Sequence, residues 1–575
     1  MEGYKSTVGK DQMRQYMGGL YENSMVIYRE YLQNACDAVE LALKAGLIPN
    51  RKQANIAVVI DQYNKTITIR DVGIGVDREH IGPYLVDVAS SPKYNKKLVG
   101  RHGIGRLNGA NYCDAIIYET SAAGEPIKST LVWDVKKAKE ICADDSVDMD
   151  TPQIIDAVTR REPEQSEDID AHYCNVTLVN VNDPHLMDEA AVKAYVAEIV
   201  SVSYSLEFME NMLLPALAIP ANQLFEERFN SLWTYEVTVN TSPIEKSYQS
   251  EFGDVKIGVM QCFRLVDDKT SEELGWGWYA LNKSAKQLND LPFSFLRARH
   301  NNFQVGSKEL LNGYHYGAGA KYIIGELHVT HPEIEPSTSR DGFIGGPVKR
   351  RLEMALRKFL RGVYTQYDKA SHFRSDVIDV IGKAEIEIAR LKLQNKDADA
   401  EEKTKNKEQI KKKTEEKKNA LTLLPKYQEY FQKNNVWFVA EDIIESVNES
   451  VIEPYNQRPL VQKTDSQIPF LKVKDYKPVA HPPVTPSTIP AATPTGGEDS
   501  VQPDNPDKPQ DPNAPGSTPP PLPTPPTPSE MDYYKSLSKV ERDMVKKFIS
   551  VINTTDLPEK VKERMFAKLR KKIIK

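Results

Sequence analysis

Between residues 478 and 528 the chain carries 18 of its 37 prolines, interleaved with Gly, Ser, Thr and Asp. Proline fixes φ and has no backbone N–H, so a run this dense pairs into neither helix nor sheet. It is expected to be an extended, semi-rigid linker. That segment divides the 575 residues into a large N-terminal part and a short tethered tail. The tail, 531–575, holds thirteen Lys/Arg against six Asp/Glu. The whole chain has a net charge of −6, so a tail of +7 leaves −13 on everything before it. Two amphipathic helices are predicted in the tail, at 533–552 and 558–573, with Asp556-Leu557-Pro558 breaking between them.

Upstream, 396–418 has sixteen charged residues out of 23, with Ile410 nearly the only large apolar side chain. It is expected to be the solvated tip of a helical pair or antiparallel coiled coil built from the apolar-periodic stretches 377–393 and 420–431. The first 350 residues read as mixed α and β. Residues 55–61 and 66–70 alternate apolar and polar side chains around Gln-Tyr-Asn-Lys, which predicts a hairpin. Further strand-like runs are 129–134, 174–181, 235–239, 255–263, 277–281 and 322–330. The acidic patch 136–170 interrupts that pattern and reads as an insertion. The most apolar stretch, 212–221, is broken by Pro215 and Pro220, so no membrane span is expected, and the first residues lack a signal-peptide core. Five widely spaced cysteines (36, 113, 142, 174 and 262) exclude CxxC zinc and redox motifs. They suit a reducing, cytoplasmic setting.

Three motifs carry chemistry. In a helix predicted over 25–45, Glu30, Asn34 and Asp37 recur at i, i+4 and i+7 and share one face. A carboxylate beside an amide oxygen suits polarisation of a water and one position on an octahedral Mg²⁺. Asp71-Val72-Gly73-Ile74-Gly75 follows the hairpin directly. There a carboxylate stands on a rigid strand end, beside backbone that a flat ligand can approach closely; its oxygen suits an exocyclic amine. Gly100-Arg101-His102-Gly103-Ile104-Gly105 precedes an apolar run, so its N–H groups are placed for an anion. Neither G-x-G-x-x-G nor G-x-x-x-x-G-K-[ST] occurs, which sets aside the Rossmann and Walker-type readings.

The three motifs stand in one order, with Asp71 and Gly100 following Glu30 by 41 and 70 positions. In this they resemble the GHKL ATPase superfamily of gyrase B, the ninety-kilodalton heat-shock chaperones, histidine kinases and MutL, with MORC proteins close by. The resemblance implies an ATP pocket in which Glu30 is the general base and Asn34 the Mg²⁺ ligand. Asp71 would hold the adenine amine, with Asp37, Gly73 and Gly75 around it. Gly100, His102, Gly103, Ile104 and Gly105 would form the phosphate loop, with Ser90, Ser91 and Lys93 on the lid. Thr177 matches the family's threonine near the adenine, although Val176 replaces the usual preceding glycine. Residues 235–343 look like the transducer domain of chaperone-type and MORC-type members. There a basic residue reaches the γ-phosphate, and the candidates are Arg297, Arg299 and Arg340.

The expected fold class is α+β: a GHKL (Bergerat) sandwich over 1–185 with an acidic insertion at 134–173, then a connector and transducer over 186–347. A helical coiled-coil arm (348–475), the linker (476–530) and a basic helical module (531–575) follow. A histidine kinase is disfavoured because no His precedes Glu30. The expected function is a Mg²⁺-dependent, ATP-hydrolysing clamp. Its homodimer closes on ATP, exchanging N-terminal segments, and remodels a protein client or a nucleic acid held by the basic module. The alternative is a nucleotide-sensing scaffold with little turnover in a multi-protein system, such as one of antiviral defence.

Overall fold

The computed structural model describes residues 8–17, 23–87, 105–434 and 444–458, with 468 and 470; positions 254, 283–287, 289–290, 292, 315–317, 338 and 446 are excepted. The Pro-rich linker and the basic module lie outside the described residues. Apart from 227–231, all described residues belong to one compact unit.

Helix α1 (Lys10–Met17) precedes helix α2 (Val26–Ala45), which forms where the sequence placed it. Val26, Ile27, Tyr31, Leu32, Ala35, Val39 and Ala42 make its buried stripe, the apolar spacing that a core-facing helix needs. Gly46 ends it at φ +75°, donating its N–H to the carbonyls of Ala42 and Leu43, a left-handed cap that favours glycine. The hairpin follows as β1 (Asn55–Asp61) and β2 (Thr66–Arg70), with Val58 opposite Ile69 and Ile60 opposite Ile67. Its turn is held by Asp61 Oδ1, which accepts the Asn64 N–H at 2.9 Å.

The remaining head strands are β3 (Ala115–Ser121), β4 (Ile127–Asp134), β5 (Thr159–Arg161), β6 (Gln165–Ser166), β7 (Tyr173–Val179), β8 (Glu236–Val239) and β9 (Ser242–Pro243). They form a nine-stranded sheet in the order β5-β4-β3-β7-β2-β1-β8-β9, with β6 also on β4. β8 runs parallel to β1, so this sheet takes in residues well past the boundary expected at 185. The stretch read as an insertion is an excursion from β4 that returns as β7 on the far side of β3. It builds helices α3 (Val135–Ala143) and α4 (Thr151–Val158) and the edge strands β5 and β6. α1 lies against it: Met13 and Met17 are buried, Arg14 Nε donates to the Cys142 carbonyl at 2.8 Å, and Lys10 Nζ to that of Asp144 at 3.0 Å.

Helix α5 (Glu189–Ile199) leads out of the head. A small hairpin, β10 (Glu251–Phe252) and β11 (Val255–Lys256), precedes a five-stranded sheet. That sheet comprises β12 (Gln261–Val266), β13 (Glu273–Leu281), β14 (Phe295–His300), β15 (Phe303–Val305) and β16 (Ile323–Val329), ordered β12-β13-β16-β14-β15. Helix α6 (Pro347–Phe373) covers it through Leu352, Leu356 and Leu360, and Phe359 stacks on Phe263 with ring centres 4.0 Å apart. Helices α7 (Asp379–Gln394) and α8 (Ala400–Asn434) pack on each other, the chain reversing at 395–399; most of the charged stretch expected as a tip instead forms the first half of α8.

One buried carboxylate ties this second sheet to the connector. Glu326 on β16 is fully buried and is met by Arg299 Nε at 2.8 Å, Lys246 Nζ at 3.0 Å, Tyr204 Oη at 2.5 Å and Tyr248 Oη at 3.2 Å. Burial alone would raise its pKa, but Arg299 and Lys246 together outweigh that and hold it well below the usual carboxylate range. Removing one partner of a buried ion pair costs about 3–5 kcal/mol, because the other charge is left uncompensated. Glu326→Gln is therefore expected to accelerate hydrogen exchange across β13, β14 and β16. A depressed folded-state pKa gives stabilisation that is present above the unfolded value of about 4.3 and lost as pH falls below it. The variant should accordingly show a shallower acid limb than the parent chain when exchange is followed against pH.

Candidate nucleotide site

The site is built where α2 meets the turn after β2. Gly73 comes so close to the helix that a Cβ there would sit 2.3 Å from the Ala38 Cβ. The Ile74 N–H donates to the Ala38 carbonyl at 3.1 Å. Gly75, at φ +72°, leaves no room either, since a Cβ would fall 1.8 Å from the Ser121 carbonyl oxygen. The alternating glycines are thus fixed by contact on two sides and by backbone conformation. Asp71 is buried, and its Oδ1 accepts the N–H groups of Gly73 at 2.8 Å and Cys174 at 3.2 Å.

On α2, Glu30 and Asn34 are partly buried and Asp37 is buried, all on the helix that carries Ala38. The Glu30 side chain is 16% exposed. Its Oε1 accepts from Arg29 Nε at 3.3 Å and Nη2 at 3.2 Å. Arg29 Nη2 also donates to the Ser339 carbonyl at 3.0 Å. The loop between β16 and α6 therefore touches the helix one residue from the expected base. Burial pushes the Cys36 thiol on the same helix well above its ordinary value, so it packs as an apolar residue.

The glycine loop is described only from Gly105, which opens a helical turn, Gly105–Tyr112, packed on α2. Ser90, Ser91, Lys93, Gly100, His102, Gly103 and Ile104 lie outside the described residues. Gly109 anchors that turn: its N–H donates to Tyr31 Oη at 3.3 Å, and a Cβ would lie 2.7 Å from both Tyr31 Oη and Leu178 Cδ2. Gly109 belongs to none of the motifs; its only sequence signal is a glycine inside an otherwise apolar run.

Two expectations are corrected. Thr177 alternates with Val176 and Leu178, whose buried side chains share the α2 side of the sheet. Thr177 thus faces the other way, where its Oγ1 meets Thr68 Oγ1 at 3.0 Å. The β7 residue on the side of Asp71 is Cys174. Arg297 and Arg299 are 1% and 0% exposed. Arg297 pairs with Glu198 and donates to Gln304 Oε1 at 3.0 Å, whereas Arg299 pairs with Glu326 and donates to the Glu198 carbonyl at 2.7 Å. Their guanidiniums are structural members of the core around the second sheet. Arg340, at φ +55° and buried, adjoins the Ser339 carbonyl that Arg29 reaches.

Residues 23–167 match the family described as histidine kinase-, DNA gyrase B- and HSP90-like ATPase. Chaperone protein HtpG of Enterobacter sp. (strain 638) is 28% identical over 160 residues, 25% of this chain and 26% of that protein. HtpG of Polaromonas naphthalenivorans (strain CJ2) is 30% identical over 131 residues, 20% and 21% of the two chains. That of Psychrobacter cryohalolentis is 32% identical over 131 residues, 20% of each. The similarity thus spans about a quarter or less of these relatives. The folded head defines a GHKL-superfamily ATPase domain. Its character is that of the ninety-kilodalton heat-shock chaperones.

Gly75→Ala tests the geometry directly. Forcing a side chain into a left-handed position costs about 1–3 kcal/mol before the clash with Ser121 is counted. The variant is expected to lose at least about tenfold in ADP affinity, and its thermal melt should no longer move on adding nucleotide.

Proposed function

We propose that this protein is a Mg²⁺-dependent ATPase in which nucleotide turnover in the head is coupled to movement of the transducer. The observation that carries the reading is the contact of Arg29 with both the Glu30 carboxylate and the Ser339 carbonyl. It joins the base of the head to a loop of the second sheet, which is the link an ATP-driven machine needs. Glu30 takes the proton from the attacking water, Asp71 receives the adenine amine, and the glycine loop cradles the phosphates. Arg340 is the transducer residue assigned to the γ-phosphate, since its loop is the one that reaches α2. A cation there stabilises charge that builds up during phosphoryl transfer.

Glu30 and Asn34 offer only oxygen donors, the hard-ligand chemistry that suits Mg²⁺. Among the described residues no group of three His, Cys, Asp or Glu forms a metal cage. Asn34 and phosphate oxygens would therefore share the ion, whose role is to neutralise phosphate charge. With Oδ1 held by the N–H groups of Gly73 and Cys174, Asp71 Oδ2 is the oxygen assigned to the exocyclic amine of the base.

Two such heads close on ATP. That the relatives are chaperone proteins favours a protein client over the nucleic acid that the basic tail invites. No described helix is long and apolar enough to cross a membrane. Arg29 draws on the Glu30 carboxylate, so turnover is expected to be slow until the Ser339 loop moves.

Steady-state turnover tests the roles. Glu30→Ala is expected to reduce kcat by about 10²–10⁴-fold with ADP affinity retained. Arg340→Ala should lower kcat with little change in ADP affinity. Turnover of the Glu30→Ala chain at the parental rate would remove Glu30 from the mechanism. Failure of the parent chain to bind ADP would remove the whole reading.

A further inference from the structure

The turn 71–76 is bracketed by a segment that none of the motifs includes, and whose residues lie beyond the 23–167 family match. Three consecutive residues contribute. The Cys174 N–H donates to Asp71 Oδ1 at 3.2 Å. The Tyr173 carbonyl accepts Thr120 Oγ1 at 2.7 Å, and that hydroxyl oxygen accepts the Val76 N–H at 2.8 Å. His172 Nδ1 lies 2.8 Å from the Gly73 carbonyl oxygen. A carbonyl only accepts, so the ring carries its proton on Nδ1 in this contact.

The Gly73 carbonyl and the Ile74 N–H belong to one peptide unit. Its N–H end is held by the Ala38 carbonyl of α2 at 3.1 Å, and its C=O end by His172. The peptide is clamped between the helix and the start of β7. The Gly73 N–H is in turn one of the two donors that orient Asp71 Oδ1. Of the three bracketing residues, His172 acts on the turn through its side chain. Without it, a glycine peptide with little steric restraint of its own keeps one hydrogen bond instead of two, and rotation away from the bound shape becomes easier.

We propose that His172 is a positioning residue of the nucleotide site. Through the Gly73 peptide it preorganises the turn that presents Asp71 to the base, and it sets nucleotide affinity rather than the chemical step. This rests on the ATP reading above. A preformed site binds more tightly because less ordering remains to be done when the ligand arrives. One such hydrogen bond corresponds to roughly a tenfold change in affinity.

The test uses the full-length chain with His172→Phe and His172→Asn. Phenylalanine keeps a ring but no donor. The asparagine Nδ2 stands near the place of the imidazole Nδ1 and restores the N–H. The readouts are ADP affinity by calorimetry, KM and kcat for ATP, and thermal melting without nucleotide. For His172→Phe the expected result is about tenfold weaker ADP binding and a raised KM, with kcat at saturation and the nucleotide-free melt close to the parent. His172→Asn should recover most of the affinity. Unchanged ADP binding in His172→Phe overturns the proposal. So does an asparagine variant no better than phenylalanine, or a loss of affinity matched by an equal fall in the nucleotide-free melt, which would mark His172 as a packing residue. If the parent chain itself binds no ADP, the ATP reading falls and this role falls with it. Binding by the parent and both variants alike leaves the ATP reading standing and removes only His172.

Discussion

Everything at the nucleotide site depends on how closely two backbones approach, helix α2 at Ala38 and the turn after β2 at Gly73. The position a Cβ would occupy on Gly73 is 2.3 Å from the Ala38 Cβ, a separation that only glycine allows. That contact fixes the distance between the polar face of α2 and the end of the hairpin. It therefore sets where Glu30 and Asn34 stand relative to Asp71. The second glycine extends the constraint to β3 through Ser121, and the start of β7 closes it from the other side. The site is a junction of four elements held by main-chain contacts. Among the described residues, the backbone does much of the shaping.

A different kind of interaction organises the second sheet. Glu326 gathers Arg299, Lys246, Tyr204 and Tyr248 in a fully buried place. Tyr204, Lys246 and Tyr248 come from the connector, whereas Arg299 and Glu326 come from the sheet itself. Buried charge of this sort adds little net stability compared with an apolar core, but it is demanding about geometry. A connector joined in this way keeps its orientation on the sheet. The Ser339 loop, which follows that sheet in the chain, meets α2 at Arg29.

Much of the head was legible in the sequence. The helix over 25–45 and the hairpin at 55–61 and 66–70 were both written in periodicity, and the structure places them at Val26–Ala45, Asn55–Asp61 and Thr66–Arg70. What escaped was sidedness and partnership. Thr177 has the residue type expected near a base, but strand alternation turns it away from α2, and Cys174 takes the position beside Asp71. Arg297 and Arg299 look like free cations in a sequence, yet each meets a carboxylate of another element, Glu198 of α5 and Glu326 of the neighbouring strand β16. β8 reads as the start of the transducer and instead joins the head sheet beside β1.

The sequence by itself determined the local forms: which segments are helix or strand, where chains must turn, and which residue types can carry phosphate and carboxylate chemistry. These follow from propensity, periodicity and spacing, which act over a few residues. Only the tertiary structure decided which of those residues meet. Gly109 against Tyr31, Arg29 against Ser339 and His172 against Gly73 are separated by 78, 310 and 99 positions. Contacts at such separations arise from packing complementary surfaces, and no local pattern encodes them.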